Sequence, residues 1–172
     1  MSTKNEIKNG IVTIKGGYVT LRYERRLRHP IEVVWKAITD PNELAVWFNA
    51  KAKIDAHPGG TIDYVNTASG FHTTGRITVW DPPRAFGHEW HIAPNPQLPN
   101  GEPKGAIRWS LERDGDFTIL TVTFTGLTKP TGLRFAPGTH AYLDRLEAHL
   151  EHAALPDWAE RTAAVRGLYL AQ

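Results

Sequence analysis

The residues closest to chemistry in this chain are crowded into one run, His88-Glu89-Trp90-His91. A zinc-protease pattern needs histidines four apart on a helix, with a glutamate beside them as base. Here the histidines are three apart in a segment that reads as a strand. Their side chains therefore point to opposite faces, and the run predicts no metal site. Ser2, Ser69 and Ser110 lie in no strand-to-helix elbow that would expose a nucleophile. No glycine-rich loop leads a strand into a helix as phosphate binding requires, because His57-Pro58-Gly59-Gly60 joins two strands. The sequence thus predicts no catalytic residue, no metal and no cofactor.

Arg25 is the other chemically loaded position. Over residues 18–28 the odd positions Val19, Leu21, Tyr23 and Leu27 alternate with polar ones, the period of a half-buried strand, and Arg25 falls in the apolar register. An inward guanidinium needs acceptors or a carboxylate. Asp63 and Glu89 are structural candidates and a ligand carboxylate is another, while a bulge would turn Arg25 outward.

Composition narrows the classes further. The 172 residues, 41% hydrophobic and 22% charged, fit one domain with a sizeable core. A net charge of +2, with basic residues dispersed, gives no footprint for nucleic acid. There is no cysteine, so neither disulfides nor thiolate chemistry contributes. MSTKNEIKNG lacks the apolar segment of a signal peptide and no run approaches a membrane span, which predicts a cytoplasmic protein.

The elements that must position these residues are well punctuated. Pro30 suits a first helical turn, and Ile31, Val34, Trp35 and Ile38 form an apolar stripe. Asp40 caps a second helix starting at Pro41, with Glu43 at the capping-box position and Leu44, Trp47 and Phe48 on its buried face. Asn9-Gly10 signals a hairpin between EIK and IVTIK, and Gly16-Gly17 turns into the strand carrying Arg25. After the helix pair come KAKIDA, TIDYV, HTTGRITVW, AFGHEWHI, AIRWSLER and FTILTVTFT, the last two joined by Asp114-Gly115. Residues 93–105, rich in Pro, Gly and Asn, read as a mobile loop.

A long helix follows near residues 139–153. Thr139, Tyr142, Leu143, Leu146, His149, Leu150 and Ala153 share one arc, and His140, Asp144, Arg145, Glu147, Ala148, Glu151 and His152 project away. The expected fold is α+β of helix-grip type: a curved seven-stranded antiparallel sheet wrapped around a long C-terminal helix, two short helices after the first main strand, and an extra N-terminal hairpin. Trp158, Thr162, Val165 and Tyr169 keep helical spacing, so the tail adds a helix placed over one end of the sheet.

Read in order, "RRLRHP" (25–30), "VWKAITDP" (34–41), "ELAVWF" (43–48), "HPGGTID" (57–63), "GRITVWDPPRAF" (75–86), Trp90 and "HAYLDRLEAHL" (140–150) resemble the heat-shock protein 90 ATPase activator, homologue-1-like family (C-terminal domain type). That family lies in the SRPBCC, START-like, birch-pollen-allergen-like superfamily. The resemblance implies one START-like domain over 1–172, with a hairpin extension (1–17), a family core (18–152) and a helical tail (153–172). It also implies a cavity between sheet and long helix for a hydrophobic or lipid-like small molecule. Ligand-binding candidates are Tyr23, Arg25, Phe48, Tyr64, Trp90, Trp109, Thr139, Tyr142, Leu143 and Leu146. Aromatics facing inward in a curved sheet are equally plain core.

Many relatives carry Gly-Trp-His where this chain has Gly138-Thr139-His140. A small hydroxyl at 139 either widens a cavity mouth or caps the helix. The resemblance leaves two other functions open. One is a chaperone partner, an activity of relatives with an additional N-terminal domain for which this chain has no room. The other is cyclase-like chemistry, for which Arg25, Tyr64 and His149 would be the residues. No membrane span or nucleic-acid partner is expected, and oligomeric state is left open.

Overall fold

The computed structural model describes residues 8–169. Its strands form a single eight-stranded antiparallel sheet, order β1-β2-β8-β7-β6-β5-β4-β3. These are β1 (Ile11–Lys15), β2 (Tyr18–Leu27), β3 (Ala50–Ile54), β4 (Thr61–Asn66), β5 (His72–Asp81), β6 (Ala85–Ile92), β7 (Glu102–Asp114) and β8 (Phe117–Thr128). The helices are α1 (Ile31–Thr39), α2 (Pro41–Trp47), α3 (Lys129–Leu150) and α4 (Trp158–Val165). Seven strands match the expected main sheet. The eighth is β1, which the Gly16-Gly17 turn, both residues at positive φ, folds onto the edge of β2. EIK, the first arm of the expected Asn9-Gly10 hairpin, lies largely outside the described residues.

Pro30 caps α1 rather than entering it, its carbonyl accepting from the amides of Val33 and Val34. The buried stripe of α1 is Ile31, Val34, Ala37 and Ile38. Trp35 stands aside from it, half-buried against Trp80 with ring centroids 5.2 Å apart. Asp40 is extended and its carboxylate accepts from the Asn42 amide at 2.8 Å, so the chain stops and restarts as its sequence predicts. The capping box does not close. Glu43 turns away to hydrogen-bond His149 on α3, 3.0 Å distant.

The main correction concerns α3, which begins at Lys129, about ten residues before the sequence suggests. Pro137 and Gly138 look like helix breakers, yet both sit inside the helix and are buried. Tertiary packing outweighs their local cost, which for an interior proline is about 3 kcal/mol. Gly132 shows how tight that packing is: a Cβ there would lie 2.4 Å from the Val19 Cβ on β2. The Tyr23 hydroxyl donates to the Ala136 carbonyl at 2.6 Å, a second tie between β2 and α3. At the other end α3 stops at Leu150, so Ala153, placed in the apolar arc by the helical wheel, is exposed beyond it.

The tail also differs from expectation. Asp157 caps α4, and α4 packs along α3 instead of closing an end of the sheet. His140, expected to face solvent, is buried beneath this tail, and Arg145, expected outside as well, is buried against the end of α2 and Pro156. His140 Nδ1 meets the Tyr169 hydroxyl at 2.8 Å. Arg145 donates to the carbonyls of Trp47 (2.9 Å) and Val46 (3.0 Å), satisfying the C-terminal carbonyls of α2.

Candidate ligand-binding site

The sheet curls because its strands twist, and α3 packs chiefly on β2 and β8, which leaves open the corner towards β4 and β5. A cavity of about 200 Å³ occupies that corner. Its floor is made by inward positions of successive strands. Tyr64 on β4 pairs in register with Thr73 on β5, and Trp90 on β6 packs edge-on to Phe124 on β8 at 5.3 Å. Its roof is α3, through Phe135, Gly138, Thr139 and Tyr142. Phe48, just past α2, closes the inner end, its ring 4.8 Å from Tyr142 and 6.4 Å from Tyr64.

Of the residues expected to bind ligand, Phe48, Tyr64, Trp90, Thr139 and Tyr142 come together in this wall. The other five lie elsewhere. Tyr23 is spent as the strut to Ala136. Trp109 packs against Trp47, 6.2 Å away, beneath the helix pair. Leu143 and Leu146 are on the neighbouring stripe of α3, buried in the solid core. Arg25 faces inward, as its register predicts, but neither Asp63 nor Glu89 is its partner. Asp144 at 2.8 Å and Glu147 at 3.1 Å, both on α3, bind the guanidinium, which is 1% exposed. The helical wheel had sent those two carboxylates outward. The only register shift in β2 lies at residues 19–21, too far upstream to rotate Arg25.

Thr139 sits mid-helix, so the capping reading fails, and the residue lines the cavity. An indole nevertheless reaches this wall from α4. Trp158 stacks on Tyr142 with centroids 5.2 Å apart and planes 21° apart, and its Nε1 donates to the Gly138 carbonyl at 3.0 Å. Gly138 permits that approach, since a Cβ there would already touch Trp158 at 3.3 Å. Sequence reasoning noted the helical spacing of Trp158 without giving it a site. Phe124 was equally legible from strand alternation, whereas Arg134 and Phe135 were hidden in a segment not read as helix.

The wall is electrically quiet. Asn66 donates to the Tyr142 hydroxyl at 2.9 Å and to the Phe48 carbonyl at 3.1 Å. Burial pushes the phenols of Tyr64 and Tyr142 upward, so both stay protonated. His88 lies next to them, stacked on Trp90 at 5.9 Å, and burial pushes its pKa down to about 4, leaving a neutral imidazole at ordinary pH. Its Nδ1 hydrogen-bonds the Glu89 carbonyl at 2.7 Å. His91 lies on the opposite face of β6, half-exposed, 3.8 Å from the Glu89 carboxylate. Among the described residues no group of three or more His, Asp or Glu side chains could hold a metal ion. The residues named for cyclase-like chemistry do not converge either: Tyr64 lines the cavity, Arg25 is in its carboxylate cluster, and His149 is paired with Glu43.

The rim is polar. Residues 93–101 form a loop folded on itself, Asn95 and Leu98 exchanging backbone hydrogen bonds, while residues 102–105 belong to β7 and not to a mobile segment. From this loop Gln97 accepts from Arg134 Nη2 at 3.0 Å and donates to the Ser69 carbonyl at 3.1 Å, a latch across the mouth.

Solved structures repeat the architecture. CalU16 from Micromonospora echinospora, in solution, superposes with a TM-score of 0.73 at 20% identity, over 99% of this chain and 97% of that one. The protein encoded by BPP1335 of Bordetella parapertussis gives 0.69 at 21%, over 98% and 93%. EF2215 from Enterococcus faecalis, a conserved protein of unknown function, gives 0.68 at 17%, over 90% and 86%. At such identities the likeness is one of fold. No curated protein sequence matches the chain. The family model described as Activator of Hsp90 ATPase homolog 1-like protein matches residues 28–151, from the end of β2 through α3, and the chain belongs to that family.

Proposed function

We propose that this chain is a cytoplasmic, single-domain START-like binding protein for a hydrophobic or lipid-like small molecule held between the sheet and α3. The observation that supports it is the cavity itself. About 200 Å³ of space persists in the core, walled mainly by aromatic rings, where side chains could have filled it. Apolar walls left facing open space forfeit the packing that a filled core would have. A ligand recovers that loss, and a mostly apolar pocket with a few polar groups is the usual form of such sites. No helix among the described residues is long and apolar enough to cross a membrane. The chaperone-partner reading gains no Trp35–Trp47 patch from the helix pair, because Trp47 is fully buried.

Calorimetric titration with two neutral apolar probes, 1-naphthylacetamide and decanol, tests the reading. At least one should bind saturably in the micromolar range, about 8 kcal/mol. Thr139→Trp, which places an indole in the cavity, should weaken that binding at least tenfold, about 1.4 kcal/mol. Absence of binding to the native protein by both probes would remove the small-molecule reading, and undiminished binding to Thr139→Trp would move the ligand out of this cavity.

A further inference from the structure

We infer that the ligand carries one carboxylate, held at the cavity mouth by Arg134, with its apolar body directed inward; this rests on the binding reading above. Arg134 is the one charged side chain among the residues lining the cavity, and no carboxylate lines it. The side chain is exposed and its partners are all neutral. One Nη donates to Gln97 at 3.0 Å and the guanidinium carbon lies 5.3 Å from the Phe71 ring centroid. This contrasts with the other interior-facing cations. Arg25 is bound by Asp144 and Glu147, and Arg145 is occupied by four backbone or amide oxygens.

A guanidinium has five N–H donors in a planar fork that matches a carboxylate. With one Nη on an amide oxygen, Arg134 keeps most of that fork unused. The cation–π contact with Phe71 restrains the guanidinium, which lowers the ordering cost of binding a second group. The latch also explains access. An incoming carboxylate replaces Gln97 Oε1 on the same guanidinium, so the bond that closes the mouth is the one the ligand breaks. Deeper placement of the charge is costly, although the buried Trp90 Nε1–H has no hydrogen-bond partner of its own. The inner wall offers the protonated phenols of Tyr64 and Tyr142 and the neutral ring of Trp90, with neutral His88 beside them, and an ion buried there would lose its hydration without a counter-charge.

The experiment compares 1-naphthylacetate with its neutral near-isostere 1-naphthylacetamide, in the wild type and in Arg134→Gln, by calorimetry at low salt and in 1 M sodium chloride. Arg134 is exposed, so the substitution leaves the core intact. The wild type should favour the acid by about fivefold, the worth of a partly exposed ion pair. Arg134→Gln should bring the acid-to-amide affinity ratio to about one, and high salt should do the same in the wild type. If both probes bind and the acid-to-amide ratio is the same in the two proteins, the inference is wrong and the binding reading stands. If neither probe binds the wild type, the inference falls together with that reading.

Discussion

Arg25→Met should destabilise the protein by about 3 kcal/mol even though it conserves volume. The guanidinium lies between β2 and α3 with Asp144 Oδ1 at 2.8 Å and Glu147 Oε1 at 3.1 Å, and also reaches the Lys8 carbonyl at 3.2 Å. Asp144 is the hub. Burial works against its ionised form, but hydrogen bonds from Arg161 and Arg25 overcome that and hold its carboxyl below the usual carboxylate range. Methionine would leave two carboxylates facing each other across an apolar side chain, with Arg161 and Lys8 as their remaining cations. Breaking a buried pair from one side costs far more than the pair contributes, because the abandoned charge stays desolvated. Arg84→Met is the control, since its pair with Asp81 is more than half exposed on both sides and should be worth less than about 1 kcal/mol. Equal effects of the two substitutions in urea melts would show that the Arg25 cluster is ordinary surface electrostatics.

Trp47→Ala should cost about 3–5 kcal/mol, as large aromatic truncations in cores do. Trp47 has no exposed surface and packs on Phe48 at 5.0 Å and on Trp109 of β7 at 6.2 Å. It also answers a defect built into the helix pair. The Ala37 carbonyl, near the end of α1, would look four residues on for its donor and finds Pro41, which has no N–H. The Trp47 indole supplies that donor at 2.8 Å. Trp47→Phe should therefore recover much of the packing and still fall short by about 1 kcal/mol, a typical net hydrogen bond. Lys36→Ala, on the outer face of α1, should stay within about 0.5 kcal/mol. A near-neutral Trp47→Ala in the same melts would mean that α2 does not rest on the sheet.

Local signals decided what the sequence made legible. Pro30, Asp40 and Pro41 act within one turn of the chain, and β2 betrays itself by alternation, so the helix pair and the sheet could be read directly. The start of α3 could not, because Pro137 and Gly138 are local arguments for a loop that Gly132, Val19 and Tyr23 overrule from across the fold. The same error hid half of the site, since Arg134 and Phe135 fall in the unread turns. The partners of Arg25 were missed for another reason. A helical wheel finds only the apolar arc, whereas Asp144 and Glu147 lie where α3 meets β2, bound there by Arg25 and flanked by Arg161 and Lys8. Phe48, Tyr64, Trp90 and Tyr142 were found because strand phase and helix phase both pointed inward.

Six tryptophans give the most direct test of the ligand-binding account. Trp90 and Trp158 line the cavity, while Trp35 and Trp80 pack together at the far side of α1. A titration of the 15N-labelled protein with 1-naphthylacetamide, followed through the indole N–H cross-peaks, should shift Trp90 and Trp158 saturably along one binding curve and leave Trp35 and Trp80 in place. Saturable shifts confined to Trp35 and Trp80, or no shift at any indole up to the solubility limit of the probe, would contradict it.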